Sequence, residues 1–273
     1  MSFKGKLQFV GLTDTGRVRS HNEDAIGTEI EIGLVVLADG MGGYKAGEVA
    51  SAMAVETITE TVSKGLKTAR KQKVGESGYA AETLLLRKAV EAANARIHNT
   101  AKDNPQCEGM GTTVVTCLYY DNRVSIAHVG DSRLYRVRGD RFEQVTLDHS
   151  LLQELVSRGF YTPEEARKSL NKNLVTRALG IEPTVKVDVQ EDVVLQGEIQ
   201  LLCSDGLSDM VEDEDIHLTI STFSANLDTA AQQLVRMAND NGGRDNVSVV
   251  LTKALKSYGD KQGFFNRFMD WFA

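Results

Sequence analysis

Runs rich in Val, Ile, Leu, Thr and Tyr, bounded by Gly, Asp or Asn, recur along the chain. They predict β-strands at 7–13, 32–38, 112–120, 123–129, 132–138, 141–146, 184–190, 198–204 and 246–254. Gly139-Asp140, between RLYRVR and RFEQVT, is a short hairpin signal, and Asp121-Asn122 marks the preceding turn. Links this tight favour antiparallel pairing, so the four middle segments are expected to form a meander.

A helical period follows the first strands, where Ala50, Met53, Ala54, Thr57, Ile58, Thr61 and Val62 fall on one face. A second long helix is expected over 79–99. Further on, Leu151, Leu152, Leu155 and Val156 line one side of a short helical insert, with Gly159 as its stop. Thr162-Pro163-Glu164-Glu165 reads as a capping box with proline at the first helical position. A helix at 227–240 turns Leu227, Ala231, Leu234, Val235 and Ala238 inward and ends at Gly242-Gly243. Strand-rich segments with helices inserted early and late predict an α+β fold of packed sheets covered by helices.

The chain has 273 residues and neither a Pro/Gly/Ser-rich linker nor a repeat, so one main domain is expected. With 41% apolar and 25% charged residues it can bury a sizeable core. A net charge of −7 argues against a nucleic-acid partner. The segment MSFKGKLQFVGLT has no long apolar core before a small-residue cleavage site, and no run of about 18 apolar residues follows, which points to the cytoplasm. Cys107, Cys117 and Cys203 are odd in number and form no CxxC pair, so reduced packing residues are expected.

Within this frame the acidic residues change the picture. VVLADGMGG, residues 35–43, runs an apolar strand into Asp39 within a glycine-dense turn, and LLCSDG, 201–206, repeats that grammar at Asp205. Asp-Gly is also an ordinary turn dipeptide. Two buried strands ending this way, however, bring two carboxylates to one rim of a sheet, where hard cations bind oxygen ligands. GGRDNVSVV places Asp245 just before another strand, HVGDSRLY places Asp131 at a strand-to-strand turn, and RVRSHNEDA adds Glu23 and Asp24 after Arg19. A guanidinium beside clustered metals matches two phosphate oxygens. The combination predicts metal-dependent phosphate-ester hydrolysis.

RSHNED, ADGMGG, GMGTT, HVGDSR, TRALG, CSDG and GGRDN occur here in the order seen in metal-dependent Ser/Thr protein phosphatases of the PPM, or protein phosphatase 2C, family. The chain resembles the bacterial members in particular, over roughly residues 9–254. The resemblance implies a four-layer αββα sandwich, two antiparallel sheets flanked by helices, with a binuclear Mn²⁺ or Mg²⁺ centre between sheet ends. It assigns Asp39 as the bridging ligand, Gly40 as a backbone carbonyl ligand of the second metal, and Asp205 and Asp245 as the other carboxylates of the first. Glu23 and Asp24 match acidic positions that hold water around the metals. Asp131, with Asp205, matches a third, weaker metal site, and Arg19 the phosphate-binding position. Two cations about 4 Å apart lower the pKa of a bridging water and aim hydroxide at phosphorus while shielding phosphate charge. An all-oxygen ligand set suits Mn²⁺ or Mg²⁺ better than Zn²⁺.

The chain departs from the pattern at Met41, where many eukaryotic members carry a histidine thought to protonate the leaving group. Water at the third site, involving Asp131, is the expected proton source instead. His21, His128 and His149 are read as ordinary loop or packing histidines. The insert at 148–180 resembles the family's flap, with Ser169-Leu170 where bacterial relatives commonly have His-Pro. The domain reading is therefore 1–254 for the phosphatase domain with its flap, and 255–273 for an amphipathic tail. In that tail Phe264, Phe265, Phe268, Trp271 and Phe272 form an apolar stripe. It is read first as docked on the protein's own surface, and otherwise as a contact for a partner or membrane surface through 260–273. The expected enzyme is a monomer acting on phosphoserine and phosphothreonine in proteins, opposing a bacterial Ser/Thr kinase. The rival readings are a catalytically silent phosphoprotein-binding module and a small-molecule phosphomonoesterase.

Overall fold

The computed structural model describes residues 3–43, 46–69, 78–162, 165 and 174–259. Its strands are β1 (Leu7–Asp14), β2 (Asp24–Glu29), β3 (Leu34–Met41), β4 (Gly111–Thr112), β5 (Val114–Tyr120), β6 (Arg123–Val129), β7 (Arg133–Arg138), β8 (Arg141–Gln144), β9 (Asp188–Val193), β10 (Ile199–Cys203) and β11 (Val247–Ala254). The helices are α1 (Ala46–Ala69), α2 (Ala81–Asp103), α3 (Leu151–Ser157), α4 (Asp205–Ser208), α5 (Asp213–Thr222) and α6 (Leu227–Asp240). Sheet I runs β1-β11-β10-β7-β8, and sheet II runs β2-β3-β5-β6-β9 with β4 attached to β3. The named pairings are all antiparallel.

The period-two alternation of the strands builds four layers. On β3, Leu34, Val36 and Ala38 pack with Ile58, Val62, Leu86 and Val90 of α1 and α2, whereas Val35 and Leu37 face the other sheet. On β10 and β11, Leu201, Cys203, Val249 and Leu251 pack with Leu227, Leu234 and Val235 of α6, and Leu202 and Val250 point inward. One apolar cluster therefore lies between the sheets and one outside each, which is the expected αββα sandwich. The phenol buried between the sheets is paired: the Tyr119 hydroxyl donates to Gln200 Oε1 at 2.6 Å and lies 2.6 Å from Thr252 Oγ1.

The middle strands do not form one meander. β5 and β6 are a hairpin of sheet II, joined through left-handed Asp121 (φ 42°) and Asn122 (φ 57°), and β7 and β8 are a hairpin of sheet I. Between them the chain crosses from one sheet to the other at Gly130-Asp131-Ser132. β6 spends its free edge on β9 and β7 spends its own on β10, so the two never pair. Gly130 carries φ +107°, and a Cβ there would come within 2.6 Å of Thr113. Three further boundaries differ. The strand expected at 184–190 is β9 at Asp188–Val193, the one expected at 112–120 is broken at Thr113, and β3 continues through Asp39 and Gly40 because β4 pairs with its end.

The long helices follow their apolar faces, whereas on α3 only Leu152 is buried and Leu151 is exposed. Leu227, Ala231, Leu234, Val235 and Ala238 are buried on α6, and Gly242 and Gly243 follow it with positive φ. The Thr162–Glu165 box is formed reciprocally: Glu165 N–H donates to Thr162 Oγ1, and Thr162 N–H donates to Glu165 Oε2. Pro163, Glu164, Ser169-Leu170 and the aromatic tail at 260–273 lie outside the described residues.

Candidate metal centre

The strand ends gather the predicted carboxylates at one rim, where the two sheets meet. β2 and β3 place Asp24 directly opposite Asp39. Asp205 opens α4 two residues after β10 ends, and Asp131 sits in the turn that crosses between the sheets. Asp245 stands two residues before β11. The GMGTT segment supports Asp39 from behind: Thr113 N–H and Thr112 Oγ1 both donate to the Asp39 carbonyl at 2.8 Å, and Asp39 N–H donates to Thr113 Oγ1. Thr113 Oγ1 also lies 2.7 Å from Ser132 Oγ, linking this strand to the turn of Asp131.

Gly40 is there because the backbone is crowded. A Cβ at Gly40 would stand 2.2 Å from the Gly47 carbonyl and 2.5 Å from that of Glu23. Gly40 N–H donates to the Glu23 carbonyl, and Ser51 Oγ of α1 donates to the same oxygen at 2.6 Å. A side chain at Gly47 would in turn come within 2.9 Å of Glu23 Oε1. The small residues therefore let β3, α1 and the loop before β2 close around Glu23.

The electrostatics of this rim identify what it is built to hold. Burial lifts Asp39 and Asp205 well above the usual carboxylate range, and the carboxylates around them add to the lift. The five strongest influences on each of these two residues all favour the protonated form. Burial also raises Asp24 to about 6, against hydrogen bonds from Ser248 and Ser204 that favour its charged form. Asp131 is raised to about 6 by burial and by the charge of Asp148, and burial raises Glu23. Asp24 Oδ1 is buried without a hydrogen-bond partner. An all-oxygen group of this kind is costly as it stands and fits hard divalent cations.

Arg19 lies at the open edge, half exposed, with its guanidinium 2.7 Å from Asp245 Oδ2. This pairing joins the predicted phosphate-binding residue to a predicted metal ligand. Asp209 was missed in the sequence. It lies four residues after Asp205 in CSDGLSD, where helical spacing puts both on one side, and its charge raises both Asp205 and Asp131. The i, i+4 aspartates were the available signal.

A second cluster lies nearby. Ligand atoms of His128, His149 and Asp188 fall within 4.8 Å of one another. It nevertheless fits a cation poorly. His149 Nδ1 accepts from Gly130 N–H at 3.0 Å, which leaves Nε2 protonated and facing Asp188 Oδ2 at 3.1 Å. The Arg177 guanidinium already lies 3.1 Å from Asp188 Oδ1 and donates to the Lys186 carbonyl. His128, stacked on His149 at 4.6 Å, bonds the Leu147 carbonyl through Nε2. These are packing residues that tie the segment at Leu147–His149 and Arg177 to β6 and β9.

Two antiparallel sheets with a carboxylate-rich rim and an arginine at its mouth define a metal-dependent phosphoester-hydrolase architecture. The protein phosphatase 2C family profile matches residues 16–252, and the chain belongs to that family. It is 35% identical over 244 residues to protein phosphatase PhpP of Streptococcus pneumoniae, covering 88% of this chain and 94% of that protein. The fold is similar to the Mycobacterium tuberculosis serine/threonine phosphatase PstP/Ppp, with a TM-score of 0.81, 34% identity, and coverage of 92% of this chain and 99% of that one. It also matches the catalytic domain of PstP in complex with two manganese ions, with a TM-score of 0.77, 35% identity, and coverage of 92% of this chain and 99% of that one.

Proposed function

We propose that this protein is a bacterial metal-dependent phosphatase that hydrolyses phosphoserine and phosphothreonine on proteins. The observation that carries the site assignment is the convergence of buried Asp24, Asp39, Asp131 and Asp205 on one rim, Asp24 directly opposite Asp39, with Arg19 paired to Asp245 at its edge. Asp39, Asp205 and Asp245 would hold the first cation, and Asp39 and the Gly40 carbonyl the second. Glu23 and Asp24 order the surrounding water, and Asp131 with Asp205 and Asp209 serves a third, weaker site. Mn²⁺ or Mg²⁺, when bound, supplies an activated water for in-line attack and neutralises phosphate charge.

The chain's own residues do the rest. Arg19 releases one oxygen of Asp245 to engage the phosphoryl group through its planar fork. The buried walls around Asp39 and Asp205 keep bulk water from competing for the reacting phosphate. Met41, beside Gly40, carries no exchangeable proton, so the leaving alkoxide takes its proton from water on the Asp131 side.

Residues 1–254 form the phosphatase domain with its flap at 148–180, a reading supported by the pairing of β1 with β11 along both strands. The physiological counterpart is a Ser/Thr kinase. The expected setting is the cytoplasm and the expected state a monomer; no helix among the described residues is long and apolar enough to cross a membrane. The test is phosphate release from phosphothreonine and phosphotyrosine peptides with and without Mn²⁺, by the wild type and by folded Asp205→Asn. Metal-dependent release from phosphothreonine that disappears in the variant supports the reading. Persistent activity in the variant overturns the ligand assignment, and a folded, inactive wild type favours the binding-module alternative.

A further inference from the structure

One side chain touches every segment that carries Arg19, Glu23 and Asp245, yet bears no charge and belongs to none of the assigned roles. Asn246 is buried at the foot of β11. Its Oδ1 accepts from Glu23 N–H at 2.8 Å. Its Nδ2 donates to the carbonyls of Thr15 and His21, each at 2.9 Å. Its own N–H donates to Asp245 Oδ1 at 2.8 Å, fixing the carboxylate whose other oxygen meets Arg19. Its carbonyl would lie 2.0 Å from a Cβ at Gly206, the residue after Asp205.

The three side-chain bonds span the loop from Thr15 to Glu23, at its start, middle and end. That loop leaves β1 and returns as β2, and it carries Arg19 over the rim. A second contact holds the same loop to the same place. Arg17 and Val18 N–H both donate to the Gly243 carbonyl, and Gly16, at φ +81°, passes so close that a Cβ would stand 2.2 Å from the Asp245 carbonyl. Only an amide supplies one acceptor and two donors in this geometry: a carboxylate would set an oxygen against two carbonyls, and an alanine would leave all three backbone groups unpaired.

We propose that Asn246 is a positioning residue for the phosphatase reaction, setting where the 15–23 loop, with Arg19 and Glu23, sits relative to Asp245. The inference rests on the reading of those residues given under the proposed function. It assigns Asn246 no contact with the substrate; its effect passes through Arg19 and Glu23.

The test uses the full chain and the variants Asn246→Ala, Asn246→Asp and Gly16→Ala, the last pushing the same loop off the Asp245–Asn246 peptide while keeping the Asn246 side chain. Hydrogen exchange on the metal-free proteins reads loop placement directly. Expected are faster exchange at residues 15–23 in all three variants, with β10 unchanged. In the kinetics, KM for a phosphothreonine peptide and the Mn²⁺ concentration for half activation are expected to rise about tenfold or more, with a smaller change in kcat. Variants that merely melt earlier, with 15–23 exchange, KM and metal requirement all at the wild-type level, would overturn the proposal. An inactive wild type would sink the phosphatase reading, while the exchange measurement would still decide the placement of the loop.

Discussion

The Ser204 hydroxyl donates to Asp24 Oδ2 across 2.9 Å and so joins the end of β10 in sheet I to the start of β2 in sheet II. The other oxygen of Asp24 is buried and has no hydrogen-bond partner. Asp24 therefore couples the two sheets while remaining one of the carboxylates whose charge is least welcome in the absence of a cation.

This fixes the pH dependence of the metal-free protein at that position. Asp24 is raised to about 6 in the fold, above the ordinary aspartate value near 4, so the folded state binds the proton more tightly than the unfolded one. Its contribution is fully present below pH 4 and is lost as pH rises through 6. Asp24→Asn removes the titration and retains an acceptor for Ser204. Urea unfolding in EDTA should show the variant gaining on the wild type by about 2–3 kcal/mol between pH 4 and 7.5. A difference independent of pH would contradict the burial of a strained carboxylate here.

Asp205→Asn and Asp39→Asn should trade activity for stability. Each replaces a carboxylate that is buried and surrounded by others of like charge, so the metal-free variants should melt higher than the wild type. Turnover with Mn²⁺ should fall by about a hundredfold or more as a cation ligand is weakened. A calorimetric Mn²⁺ titration beside a melt of the metal-free protein separates lost metal binding from a damaged fold: weakened binding with a raised melting temperature is expected, and a lowered melting temperature would instead mean a damaged fold.

Much of this centre was legible because its chemistry is written in local strand ends. The apolar runs before Asp39 and Asp205 predict buried strands, and buried strands ending in carboxylates require compensation. The crossing at Asp131 was not legible. Two hairpin signals flank Gly130, and nothing local says that β6 and β7 pair with different partners in different sheets. β2 escaped notice because DAIGTE is a half-exposed edge strand with few apolar residues. Asn246 was invisible for another reason: its partners are backbone groups more than 200 residues away in sequence, and a backbone partner leaves no mark on composition.

Arg19 should act on binding more than on chemistry. Its guanidinium is half exposed and already bonded to Asp245, so its removal leaves the fold intact. Arg19→Ala should raise KM for a phosphothreonine peptide by about 10–100-fold, the worth of a charge-assisted phosphate contact. Arg19→Lys should recover little of this, because an ammonium cannot present two parallel donors. Equal losses for a phosphopeptide and for inorganic phosphate as inhibitor would place the contact on the phosphoryl group. A loss confined to the peptide would move it to the peptide chain.

His149 gives the opposite pH dependence. Burial, with the neighbouring ring of His128 and the charge of Arg177, depresses it to about 4, below the ordinary histidine value near 6.5. The unfolded chain therefore takes up the proton first as pH falls, and the stability His149 contributes is present above pH 6.5 and lost on the way down to 4. Asn at this position presents an oxygen where Nδ1 accepts from Gly130 N–H but does not titrate. The wild type should therefore lead His149→Asn at pH 7.5, and that lead should shrink by about 2 kcal/mol at pH 5. His149→Ala should in addition leave Gly130 N–H unpaired beside Asp131, costing about 1–3 kcal/mol at either pH. Measured by urea unfolding in EDTA, a lead over His149→Asn that stays constant from pH 7.5 to 5 would show that the imidazole titrates alike in the folded and unfolded chain, contrary to its burial between His128 and Arg177.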